Sequence, residues 1–67
     1  MNNPRYQYLS GNRYIDYDDS ISVFLESNIN NTTLLYRRID GVPYIFDFAQ
    51  MQQIDVKNNV KRKFRRV

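Results

Sequence analysis

No cysteine, histidine or tryptophan occurs in the chain, and glycine and proline occur only twice each. Without cysteine there is neither a disulfide framework nor a thiolate metal site to reinforce the small core that 67 residues can bury. Without histidine the commonest general base and the commonest transition-metal ligand are both missing, so catalysis would rest on carboxylates, lysine or tyrosine alone. No apolar run approaches the ~20 residues that span a bilayer, and Met1-Asn2-Asn3-Pro4-Arg5 lacks the apolar stretch of an export signal. The expectation is therefore an intracellular protein, nuclear or cytoplasmic. The overlapping Asn-x-Ser/Thr sequons at Asn30 and Asn31 read as a polar loop.

What the chain does have is aromatic and basic. Six tyrosines and four phenylalanines supply most of the surface available for burial, which favours a folded unit over a disordered tail. The net charge of +3 conceals a division. Residues 1–56 carry four arginines against seven acids, whereas residues 57–67 carry six cations and no acid. One end of the molecule is an anion-attracting surface.

No repeat or linker divides the sequence, so residues 1–67 are read as one unit. Aromatic-rich segments around Tyr6 and Tyr8, and around Tyr14 and Ile15, flank Ser10-Gly11-Asn12-Arg13 and predict a hairpin. Asp18-Asp19-Ser20 offers N-cap oxygens, and Ile21, Phe24, Leu25 and Ile29 follow at helical spacing. Because Ile, Val, Ser and Phe are weak helix formers, packing has to hold that helix, and propensity alone leaves a strand open.

Residues 34–48 contain the clearest local signal, two strand-like runs meeting at Asp40-Gly41, the dipeptide suited to a type I′ turn. A two-residue turn pairs Ile39 with Val42, Arg37 with Tyr44 and Leu35 with Phe46, which puts Tyr44 on one face with an arginine. Pro43 should then occupy an edge or a non-bonded position. A third pair is expected over residues 53–56 and 60–66, where an Asn58-Asn59 turn would oppose Asp55 and Arg62. On the last strand Arg62, Phe64 and Arg66 alternate with Lys61, Lys63 and Arg65, so cations fall on both faces. Hairpin, helix, hairpin, hairpin predicts an α+β fold, an antiparallel half-barrel sheet of about six strands with one helix on its concave face.

Certain spacings go further. Tyr6 and Tyr8, Tyr14 and Tyr17, Phe24-Leu25-Glu26, Tyr44-x-x-Asp47-Phe48-x-x-Met51-x-Gln53 and Lys61-Arg62-x-Phe64-Arg65-Arg66 together form a string that resembles the WWE domain family from about Arg5 to Arg66. The carboxyl half is its specific part. In this resemblance Tyr6 and Tyr14 stand at the family's tryptophans and Glu26 at its glutamate. The resemblance implies a non-catalytic module that needs no cofactor or metal. Its implied ligand is ADP-ribose or the iso-ADP-ribose unit of poly(ADP-ribose), and its implied association is with a ubiquitin ligase or an ADP-ribosyltransferase.

Carried over residue by residue, the resemblance has Tyr8 and Tyr44 lining the pocket, Gln53 bonding deep within it and Arg62 reaching phosphates, with Ile15 and Arg37 as secondary candidates. The chemistry agrees, since an adenine offers a flat face to tyrosine and a guanidinium fork matches phosphate oxygens. Polymer-binding members often carry an aromatic at the position of Ile15 and an arginine at that of Gly11. Their absence here leaves open lower affinity, or a shift toward terminal ADP-ribose or another adenine nucleotide. Two other classes also stay open: a single-stranded nucleic-acid binder using the basic final strand, and a protein-interaction module whose pocket is inert. Tyr6, Tyr14 and Tyr17 are assigned to structure, Glu26 to structural hydrogen bonds, Asp47 to capping a turn, and Arg65 and Arg66 to solvated cations on an edge strand.

Overall fold

A computed structural model describes residues 4–31 and 33–67, so the amino-terminal Met1-Asn2-Asn3 and Thr32 of the overlapping sequons lie outside the described residues. Among the described residues six strands and one helix follow in the order β1 (Tyr6–Ser10), β2 (Arg13–Asp16), α1 (Asp19–Ser27), β3 (Leu35–Ile39), β4 (Val42–Asp47), β5 (Gln52–Asp55) and β6 (Val60–Arg66). The strands form one antiparallel open sheet ordered β2-β1-β6-β5-β4-β3, and with the single short helix the class is α+β.

Local chemistry sets the hairpins. Ser10 pairs with Arg13 around Gly11-Asn12, and Gly11 alone carries a positive φ (66°), the pattern of a type II′ turn. Asp40 (φ 51°) and Gly41 (φ 80°) are both left-handed, as a type I′ turn requires, and the resulting register pairs Ile39 with Val42, Arg37 with Tyr44 and Leu35 with Phe46 as expected. Pro43 faces Arg38 one pair from the turn, the non-hydrogen-bonded place in such a hairpin, and its carbonyl accepts from Val56 N at 3.1 Å.

The β5–β6 register corrects one expectation. Asp55 pairs with Val60 and not with Arg62, because the turn holds four residues instead of two. The cause is Asp55 itself: its Oδ1 accepts from the backbone N–H groups of Lys57 and Asn58 at 2.9 and 3.1 Å, the side-chain turn that Asp favours. Arg62 therefore stands beside Gln53.

Helix α1 is shorter than its apolar spacing suggests. It ends at Ser27, so Ile29 lies beyond it, where Asn28 Nδ2 bonds the carbonyl of Phe24 at 2.8 Å. Asp18 is the N-cap residue, but only its backbone carbonyl is used, accepting from Ile21 and Ser22. The buried side of α1, Ile21 and Leu25, packs with Tyr6, Phe46, Phe48 and Phe64 in one cluster. Ser22 is 2 % exposed, and its Oγ accepts the backbone N–H of Tyr6 at 3.1 Å, which satisfies the buried hydroxyl and ties helix to sheet.

The chain must travel from β2 at one edge to β3 at the other, five strand spacings or roughly 24 Å. Nine helical residues cover only ~13.5 Å, and they lie over Tyr6, Phe46 and Phe64. By strand alternation the same sheet face continues through Tyr8, Ser10, Arg62, Gln53 and Tyr44, which the helix does not cover. That uncovered end is where a cavity forms.

The two arginines near the carboxyl end also depart from expectation. β6 is an inner strand between β1 and β5, and neither arginine is simply solvated. Arg66 forks onto Glu26, Nε to Oε1 at 2.9 Å and Nη2 to Oε2 at 3.1 Å, while Tyr6 donates its phenol proton to the same Oε1 at 2.7 Å. On the opposite face Arg65 lies 3.6 Å over the Tyr14 ring and donates twice to Gln7 Oε1. No helix among the described residues is long and apolar enough to cross a membrane.

Candidate functional site

Five strands contribute to a cavity of about 420 Å³, within the range of small-molecule sites. β1 supplies Tyr8 and Ser10, β6 supplies Arg62, and β5 supplies Gln53. The β3–β4 hairpin supplies Tyr44, with Ile39, Val42 and Asp40 at its turn. Tyr17, from the segment between β2 and α1, completes the lining.

The four primary residues predicted from the sequence thus converge on one cavity, for a reason visible in the register. Gln53 pairs with Arg62 on one side and with Phe46 on the other, and Tyr44 is two residues before Phe46 on the same face. The secondary candidates are not brought in. Ile15 pairs with Tyr8 on the edge strand β2, but its side chain is 40 % exposed and does not line the cavity. Arg37 does pair with Tyr44, yet its guanidinium turns toward the helix and lies 4.9 Å over the Phe24 ring, a cation–π contact that removes it from the cavity.

Tyr17, assigned to structure from the sequence, does pack against the core and also forms part of the cavity wall. It sits in a connector, where strand alternation says nothing of side-chain direction, so no local signal marks it. Ser10, Ile39 and Val42 were within reach of alternation, since they extend the faces of Tyr8 and Tyr44 by one step.

The wall is aromatic and continuous with the core. Tyr8 and Tyr17 have ring centroids 5.0 Å apart, and Tyr17 meets Phe46 edge-on at 6.1 Å. Phe46 in turn meets Phe64 edge-on at 5.6 Å, so the cavity wall is backed by fully packed rings. Burial, and then the neighbouring Tyr8 and Tyr44 phenols, push the Tyr17 phenol far above its usual range. It remains a neutral donor. Its proton goes to Gln53 Oε1 at 2.6 Å, and Gln53 is only 6 % exposed. With the carboxamide oxygen engaged, the amide nitrogen, which has no bond to another of the described residues, is the group left for a ligand acceptor.

Arg62 is half-buried, and its one bond among the described residues is a long one of 3.5 Å from Nη1 to the Leu9 carbonyl. Most of its donor fork is therefore uncommitted, which suits a planar oxyanion such as phosphate. No group of three or more acidic residues suited to holding a metal ion is present among the described residues. Chemically, such an arrangement is able to stack a flat ring, to donate to a ring acceptor and to neutralise an anion.

A family model for the WWE domain matches residues 4–66, nearly the whole chain. The chain belongs to the WWE domain family, a family of binding modules and not of catalysts. No curated protein matches the chain. Two of the residues read as standing at the family's namesake positions, Tyr6 and Glu26, form the 2.7 Å bond that also receives Arg66, while Tyr14 lies on the far face under Arg65.

Proposed function

We propose that this chain is a non-catalytic reader of poly(ADP-ribose), taking an ADP-ribose or iso-ADP-ribose unit into the cavity. The observation that carries the reading is the meeting of Tyr8, Tyr44, Gln53 and Arg62 around one space of about 420 Å³. In this reading the sheet curves as a half-barrel, with α1 filling one end of its concave side and the ligand the other. The adenine stacks on Tyr8 or Tyr44, its ring nitrogen accepts from the Gln53 amide, and the Arg62 fork holds phosphate. Each stacked ring contributes roughly 1–3 kcal/mol, so stacking with a phosphate clamp reaches the micromolar range. Such a reader works inside the cell, joined to or recruited by a ubiquitin ligase or an ADP-ribosyltransferase.

A second reading, a single-stranded nucleic-acid binder, is favoured by Lys61, Lys63 and Arg65, which alternation directs to the sheet face opposite the cavity. Calorimetric titration with ADP-ribose, iso-ADP-ribose and a single-stranded RNA separates the two. The pocket reading expects saturable ADP-ribose binding abolished by Gln53→Ala or Tyr44→Ala. RNA binding that falls steeply with salt, with no heat from ADP-ribose, would overturn it.

A further inference from the structure

Two opposite charges line the cavity without meeting. Arg62 lies on β6 and Asp40 in the β3–β4 turn, two to three strand spacings away, or roughly 10–14 Å across the sheet. Neither takes part in an ion pair among the described residues, where the pairs are Arg5 with Asp16 and Arg66 with Glu26. Asp40 is exposed at the rim, and its carboxylate has no hydrogen-bond partner among the described residues. The cavity is thus polarised, with an anion-seeking side facing a side that accepts hydrogen bonds and repels anions.

We propose that Asp40 is a specificity-determining residue: it accepts hydrogen bonds from a free ribose diol and disfavours a phosphorylated or glycosylated sugar at that end. This rests on the nucleotide-pocket reading above and adds a choice between ligand forms. The unit at a polymer terminus, like free ADP-ribose, keeps both hydroxyls of its adenosine ribose. In an internal unit the 2′-oxygen is glycosylated and phosphates lie at both ends. One phosphate group at Arg62 and a diol at Asp40 satisfy both walls, whereas a second phosphate confronts the carboxylate. The same chemistry lets a single acidic residue choose a ribose 2′-hydroxyl over a 2′-phosphate in dinucleotide sites.

The test measures ADP-ribose and iso-ADP-ribose affinities for the full chain and for Asp40→Asn and Asp40→Gly, at low and high salt. Both substitutes tolerate the positive φ of 51° at this turn position, so the hairpin is kept. The wild type is expected to favour ADP-ribose by about fivefold, the scale of a partly screened charge interaction. Both variants should bring the ratio near one, chiefly by tightening iso-ADP-ribose, and salt should narrow the wild-type ratio. A wild-type preference for iso-ADP-ribose, or a ratio unmoved in the variants, overturns the role of Asp40 while the pocket reading stands. If neither ligand binds the wild type, both fall.

Discussion

Tyr17 donates its phenol proton to Gln53 Oε1 at 2.6 Å, a bond joining the segment before α1 to the second-last strand across 36 positions of sequence. It fixes which end of the carboxamide faces the cavity. Tyr17→Phe leaves a nearly buried carbonyl oxygen unsatisfied, which should cost about 1–2 kcal/mol and lower Tm by roughly 5–10 °C. The same variant should weaken ADP-ribose binding, since the amide becomes free to turn over. Unchanged melting and binding together would show that the phenol does not hold Gln53.

Stability should fall at both extremes of pH, for two different groups. The Arg66 guanidinium, and then the Tyr6 phenol, hold the Glu26 carboxyl below its ordinary value of 4.5. A carboxyl depressed in the folded state stabilises fully above its unfolded value and loses that contribution as pH falls through the folded one. Asp16, held down by Gln7 and Arg5, and Asp55, held down by the Asn58 backbone, act in the same direction. Burial, and then Glu26, push the Tyr6 phenol from 10.0 up to about 12, so its contribution is intact below pH 10 and is lost as pH rises toward 12. Urea midpoints measured from pH 3 to 11 should form a plateau with both flanks falling, and Glu26→Gln should flatten the acid flank. An acid flank as steep in that variant as in wild type would contradict the assignment.

Gly41 has open space around it but a φ of 80°. Gly41→Ala should therefore destabilise through backbone strain alone, by about 1 kcal/mol, with an unchanged denaturant m-value. A neutral result would mean the β3–β4 turn relaxes to another geometry.

Arg62 and Arg65 lie on opposite faces of β6 and have opposite expected behaviour. Arg62→Gln should reduce ADP-ribose affinity about tenfold or more and leave Tm within a few degrees, because the phosphate loses its charge-assisted partner. Arg65→Ala should lower Tm, since it loses the 3.6 Å contact with Tyr14 and two bonds to Gln7, and should leave affinity unchanged. Titration and thermal melting of the two variants side by side distinguish cavity from scaffold; equal loss of affinity in both would erase that distinction.

Much of this was legible in the sequence because turn chemistry and strand alternation act locally. Asp40-Gly41 determined its own register, and that register placed Tyr44 on the face of Phe46. Side-chain competition was harder to read. The Asp55 carboxylate lengthened its turn by two residues, an even shift that preserved every face but changed the partner of Arg62 from Asp55 to Gln53. Long-range relations were not legible at all. Nothing local indicates that β6 lies between β1 and β5, which is why Arg65 and Arg66 were read as edge cations. Nor does anything local point Tyr17 at Gln53 or turn Arg37 onto Phe24.

The most direct measurement is a backbone and side-chain NMR titration of the chain with ADP-ribose. Saturable shifts concentrated on the Gln53 carboxamide, the Arg62 guanidinium and the rings of Tyr8 and Tyr44 are the expected result. Shifts running instead along Lys61, Lys63 and Arg65 on the far side of β6, with the Gln53 amide unmoved, would contradict the account.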